Sequence, residues 1–157
     1  MKMYQTKFFA IFSLVIVLCA CDNKHVPSEP EFSVSSINDY PFLYNDTQKG
    51  GIINFKSNEF EQCTFTFIQA NFAQGYQYRI SQSESGEIDL SCLNDEDLFG
   101  LNESEKTYAQ VSIAIKNDNA TVTLNFSLMG FNSEKLVVKR DIVLEINAQQ
   151  LKTLQSN

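Results

Sequence analysis

The chain has 157 residues, with 12 Lys and Arg, 19 Asp and Glu, one His and no Trp. Lys2 and Lys7 fall in the first 20 residues, which hold no acid, so residues 21–157 carry 10 bases against 19 acids, a net charge of −9. That balance excludes the basic face that nucleic acid requires, and a lone His25 excludes Ser-His-Asp, Cys-His and multi-His metal chemistry; with 43% hydrophobic residues and 13 Phe, the chain is built to fold.

The first element is an export leader. Lys2 and Lys7 precede the apolar run from Phe8 to Leu18. At 11 residues the run is too short for a permanent membrane span, which takes about 20, and fits the apolar segment of a signal peptide. Leu18-Cys19-Ala20-Cys21 follows directly. This junction resembles the lipobox of bacterial lipoproteins. The resemblance implies a diacylglyceryl group on the Cys21 sulfur, cleavage before it, and acylation of the new amine by a palmitate-type chain. Two or three acyl chains make a stable anchor where one does not. The expected address is the cell envelope, anchored by lipid and facing the periplasm. Asp22 resembles the inner-membrane retention signal of enteric bacteria, and both inner and outer membrane stay open. Residues 1–20 are thus the signal peptide, 21–31 the lipidated Cys and a polar tether holding Pro27 and Pro30, and 32–157 a single domain.

From residue 51 onward the hydrophobic period is two. Ile53 and Phe55 start it, and Cys63, Phe65 and Phe67 alternate with Thr64 and Thr66. Tyr76, Tyr78 and Ile80, the turn Ser83–Gly86, and then Ile88, Leu90 and Cys92 predict a hairpin. Ala109–Ile115, the turn Asn117–Asn119, Ala120–Leu128, a loop at Gly130–Ser133 and a final strand from Leu136 to Ile146 predict a meander with one buried face. Arg140 interrupts the last face and marks a bulge or an edge. Only Leu151 with Leu154, and Leu98 with Leu101 in a loop, have spacing for a helical turn.

Cys19 leaves with the leader and Cys21 is taken by lipid, which leaves Cys63 and Cys92. Both lie in the apolar phase of their strands, in a compartment that oxidises thiols, and a disulfide between them is expected. Seven or eight short strands with this bond predict an all-β fold. The reading is an antiparallel β-sandwich, of which an immunoglobulin-like arrangement is one form; a small β-barrel is the alternative.

The segment from Gln82 to Glu105 holds eight acids and no base. Asp95, Asp97 and Gly100 match the start of a Ca²⁺-binding EF-hand loop, but Phe99 and Lys106 occupy its fifth and twelfth positions, so the motif fails and no metal or other cofactor is assigned. Asp95, Glu96, Asp97 and Phe99 form the candidate contact patch: a negative field that steers a basic protein, with one aromatic to supply desolvated area. In the competing reading Phe99 folds back as a lid over one end of the domain. The functional expectation is a lipid-anchored, non-enzymatic protein-binding module, with an inhibitor or immunity protein as one form. The alternatives are a binder of carbohydrate or small ligand using Tyr40, Tyr44, Tyr76 and Tyr78, and a small hydrolase using paired carboxylates.

Overall fold

The computed structural model describes residues 31–43, 47–81 and 86–156, with the side chains of residues 38–43 left out; residues 1–30, on which the expected leader, lipidated Cys21 and tether fall, lie outside it, as do Tyr44 and residues 82–85. Nine strands are described: β1 (Phe32–Leu43), β2 (Lys49–Ser57), β3 (Gln62–Ile68), β4 (Gln77–Ser81), β5 (Ile88–Leu93), β6 (Leu98–Gly100), β7 (Tyr108–Lys116), β8 (Asn119–Gly130) and β9 (Leu136–Ile146). A helix, α1 (Ala148–Gln155), ends the chain.

Every pairing is antiparallel, and all strands belong to one sheet in the order β1-β2-β3-β5-β6-β8-β7-β4, with β9 on the free side of β8. The all-β class and the disulfide are as expected from sequence. The strands form a single curled sheet, a half-barrel, hydrogen-bonded continuously rather than as the two separately bonded sheets of a sandwich. The long β8 explains the curl. One of its edges pairs β7 from Asn119 to Ser127 and then β6 at Met129 and Gly130, so the sheet divides around it. Inside lie Phe55, Phe65, Phe67, Leu90, Val111, Val122, Leu124, Phe126, Leu128 and Leu144, all buried. The seam between β1 and β9 is closed by side chains. Lys139 contacts Glu59 at 2.6 Å and Glu31 at 3.2 Å, and lies 5.8 Å from the Phe32 ring centre.

The disulfide joins Cys63 of β3 to Cys92 of β5, residues directly opposite in register. This pairing overturns the expected hairpin of residues 76–80 with 88–92. β5 is held by β3, while β4 pairs β7, with Tyr78 opposite Val111 and Ile80 opposite Ala109. Both strands have the period of two, and that period does not name a partner.

The meander β7-β8-β9 forms as expected, and Arg140 does mark a bulge. Leu124 pairs Ile142 and Phe126 pairs Lys139, so Arg140 and Asp141 together oppose Asn125. Asp141 takes φ of 53°, and its N–H donates to Asn125 Oδ1 at 3.0 Å. The extra residue inverts the phase. Ile142, Leu144 and Ile146 point inward, but before the bulge Val137 does, and Leu136 and Val138 are turned out to solvent.

α1 starts with a reciprocal cap: Gln150 N–H donates to Asn147 Oδ1 and Asn147 N–H to Gln150 Oε1. Leu151 and Leu154 are buried, and Gln69 Nε2 donates to the carbonyls of Leu154 and Ser156, which fixes the helix across the end of the sheet where β3 finishes.

Candidate docking face

The acidic segment is more ordered than a solvated loop. A turn, Asn94–Asp97, is closed on Asn94, whose Oδ1 accepts from the N–H groups of Glu96 and Asp97 at 3.0 and 2.9 Å. Leu98–Gly100, expected in a loop, instead forms β6, paired to β5 on one side and β8 on the other. Three residues suffice because both edges are bonded.

Alternation along β6 decides which residues face where. Phe99 points inward, is 2% exposed, and meets Phe60 edge-on with ring centres 5.7 Å apart. It is a core residue and presents no surface for contact. Asp97 is also enclosed, at 4% exposure. Its carboxylate accepts from Asn132 N–H at 3.0 Å, Asn132 Nδ2 at 3.1 Å, Ser133 N–H at 2.8 Å and Ser133 Oγ at 2.6 Å. Those donors, the Ser133 hydroxyl first, hold its pKa down at about 2. A Cβ on Gly130 would collide with the same carboxylate, so this glycine makes room for it. Of the four contact residues expected from sequence, Asp95 and Glu96 are exposed and Asp97 and Phe99 are structural.

What Asp97 holds is the turn carrying Phe131. Phe131 N–H donates to the Leu98 carbonyl at 2.9 Å, and its ring lies over Gly100, where a Cβ would stand 3.1 Å from Cε2. The ring is nevertheless 60% exposed. Leu98 and Leu93, directly opposite each other on β6 and β5, are each 44% exposed on the same outward face. Across β8 the face continues through half-buried Met129 to Leu136 and Val138 of β9, the residues that the bulge turned outward. Ser127, between Tyr108 and Val138 in register, has a buried hydroxyl without a hydrogen-bond partner among the described residues. The outer face of β1–β3 is built differently. There Ser36, Asn54, Gln62 and Thr64 form a chain of side-chain hydrogen bonds.

Acids border the apolar patch. Glu61, in the turn before β3, sits so close to Asp95 that its carboxyl is held above the usual range, chiefly by a hydrogen bond with Asp95 and then by charge repulsion. Glu96 is next to this pair. The arrangement can exclude water over an apolar area and attract positive charge. Sequence reasoning placed Phe131 in a loop and went no further. Its signal was there: an aromatic side chain at the head of the polar run Asn132–Lys135, with no further apolar residue until Leu136.

The other candidate features have structural partners. Tyr76 and Tyr78 are half-buried and stacked, with centres 6.3 Å apart. The Tyr76 hydroxyl donates to Glu87 Oε2 at 2.8 Å, where Asn71 Nδ2 also donates at 2.6 Å; burial, then this carboxylate, raises the Tyr76 pKa above the ordinary phenol value. The side chain of Tyr40 and all of Tyr44 lie outside the described residues. Comparison of the chain with protein-family models, with curated proteins and with solved structures finds no match.

Proposed function

We propose that this protein is a lipid-anchored, non-enzymatic binding module of the bacterial envelope, and that it docks a basic protein on the face formed by Leu93, Leu98, Phe131 and Leu136. An inhibitor or immunity protein is one form such a module takes. The observation that carries the reading is Phe131. A large aromatic ring, seated over Gly100, is kept 60% exposed by a turn bound to a buried carboxylate. Apolar patches of this kind mark contact surfaces, and pre-ordering lowers the entropy cost of using them. Asp95, Glu96 and Glu61 would steer the partner and set the salt dependence of encounter.

Photo-cross-linking from position 131 in intact cells, with the partner identified and then purified, tests this. The expected result is a basic protein whose dissociation is accelerated about tenfold or more by Phe131→Ala, as for a central aromatic anchor. A partner that binds Phe131→Ala and wild type equally refutes the face.

Small-ligand binding has one feature in its favour. A groove of about 490 Å³, lined by Lys49, Ile68, Gln69, Phe72 and Gln155 among others, lies at the end of the sheet beside α1. Ligand screening that shifts the resonances of Ile68 and Phe72, and leaves Phe131 unmoved, would favour that reading.

A further inference from the structure

The strand directions place the docking face at the same end of the domain as the chain entry. β1 begins at Phe32, opposite Ser57 at the end of β2. The turns 58–61, 94–97 and 131–135 gather at that end by register, since Leu93 pairs both Gln62 and Leu98, and Phe99 pairs Gly130. α1, the 117–118 turn and the 3-10 turn Gln69–Asn71 occupy the other end. Glu31 is clasped there by Lys139, which also holds Glu59 of the 58–61 turn, so the entry point is fixed beside the face.

From this we infer that the face is held at the membrane-proximal end of the domain, and that its partner is a protein seated in or on the same membrane which presents a basic, apolar segment there. The inference rests on lipidation at Cys21 and on the docking face proposed above. Nine residues lie between Cys21 and Glu31, which makes ten Cα-to-Cα steps. Ten steps span at most about 35 Å fully extended. The far end of the domain lies about 35 Å beyond the near end, from the rise along the 12 residues of β8. Bringing the far end to the lipid would require the whole tether stretched alongside the domain.

Charge selects the occupant. Lipid itself is disfavoured, because Glu61, Asp95 and Glu96 would be pressed against anionic headgroups along with the apolar residues. A second copy of the chain would bring these three acids and Glu134 against their own kind, an excess that Lys135, the base of the 131–135 turn, does not offset. A segment mixing Lys or Arg with apolar residues satisfies both parts of the face.

The test uses the full lipidated protein on vesicles of phosphatidylethanolamine and phosphatidylglycerol at a ratio of about 3:1. A donor dye at Lys135→Cys, near the face, or at Lys116→Cys, at the far end, is paired with acceptor lipids. Transfer from position 135 is expected to exceed that from 116 by about twofold or more, given the tether's reach; equal or reversed transfer overturns the orientation. A synthetic single-span peptide ending in an alternating Lys-Leu segment is then added to the vesicles. It should bind about tenfold more tightly than its Glu-Leu counterpart, and Phe131→Ala with Leu98→Ala should remove that preference. Binding that ignores both substitutions overturns the face while leaving the anchor standing. Quenching of the 135 dye by spin-labelled acyl chains in peptide-free vesicles identifies lipid as the occupant and overturns the partner. Self-association abolished by Phe131→Ala identifies a second copy and does the same. Protein that leaves the vesicles altogether overturns the anchor, and the inference with it.

Discussion

Phe99 and Phe131 are 32 positions apart in sequence and close in space, one on each side of the same short strand, and they have opposite surroundings. Phe99→Ala removes a buried ring packed on Phe60 and should cost about 3–5 kcal/mol of stability, read as a lower denaturation midpoint. Phe131→Ala removes an exposed ring and should stay within about 0.5 kcal/mol of wild type while weakening partner binding. Asp97 gives a pH prediction. Its folded-state pKa, about 2, lies below the ordinary value of 3.8, so the stability it contributes is complete above pH 4 and is lost as pH falls toward 2. Asp97→Asn should remove that part of the acid limb in urea titrations between pH 2 and 4, and should loosen the turn at Asn132 and Ser133 in hydrogen exchange. An unchanged acid limb would show that the carboxylate is not what holds the turn.

Among the elements, β3 and β5 depend most on covalent chemistry. The Cys63–Cys92 bond closes a loop with a sequence separation of 29. In the chain-entropy account its loss costs about 3–4 kcal/mol, and Cys63→Ala with Cys92→Ala should lower the midpoint accordingly. Because β6 is bonded to β5, Leu98 should become less protected in the same variant. The β1–β9 seam is a lighter fastening. Lys139 is raised above its ordinary pKa, mainly by its hydrogen bond to Glu59, so the clasp is present at neutral pH and lost as pH rises beyond the ordinary lysine value. Glu31 and Glu59 are largely exposed, so Lys139→Ala should cost about 1 kcal/mol or less. Its clearer readout is faster amide exchange at the start of β1.

For the molecule as a whole, the anchor reading has its own test. Cys21→Ser should move the protein to the soluble fraction or leave an uncleaved precursor, and membrane fractionation with unchanged size would refute it. The same variant should keep the fold, since residue 21 precedes every described contact. It should also bind a soluble partner as before and lose an advantage only toward a partner held in the membrane, where tethering supplies the effective concentration.

The sequence by itself determined the class of fold, the disulfide and most of the buried face. Alternation of Cys63, Phe65 and Phe67, of Ala109 to Ile113, and of Ala120 to Leu128 reports local backbone geometry, and local geometry is written in consecutive residues. β1 was missed because register shifts between Val34 and Ser36, and between Asn38 and Phe42, break its period, and Pro41 is tolerated there because the strand is at an edge of the sheet. The inward turn of Val137 needed the length of the bulge, which Arg140 announced without revealing how many residues it held. Strand partners, and the candidate face with them, were decided only by tertiary structure. Leu93, Leu98, Phe131 and Leu136 come from four separate places in the chain, and each alone is an ordinary apolar residue. They become one surface because β6 has the short span that lets β5 and β8 meet across it, and because Asp97, a charge in the sequence, is in the fold a buried acceptor holding an aromatic turn in place.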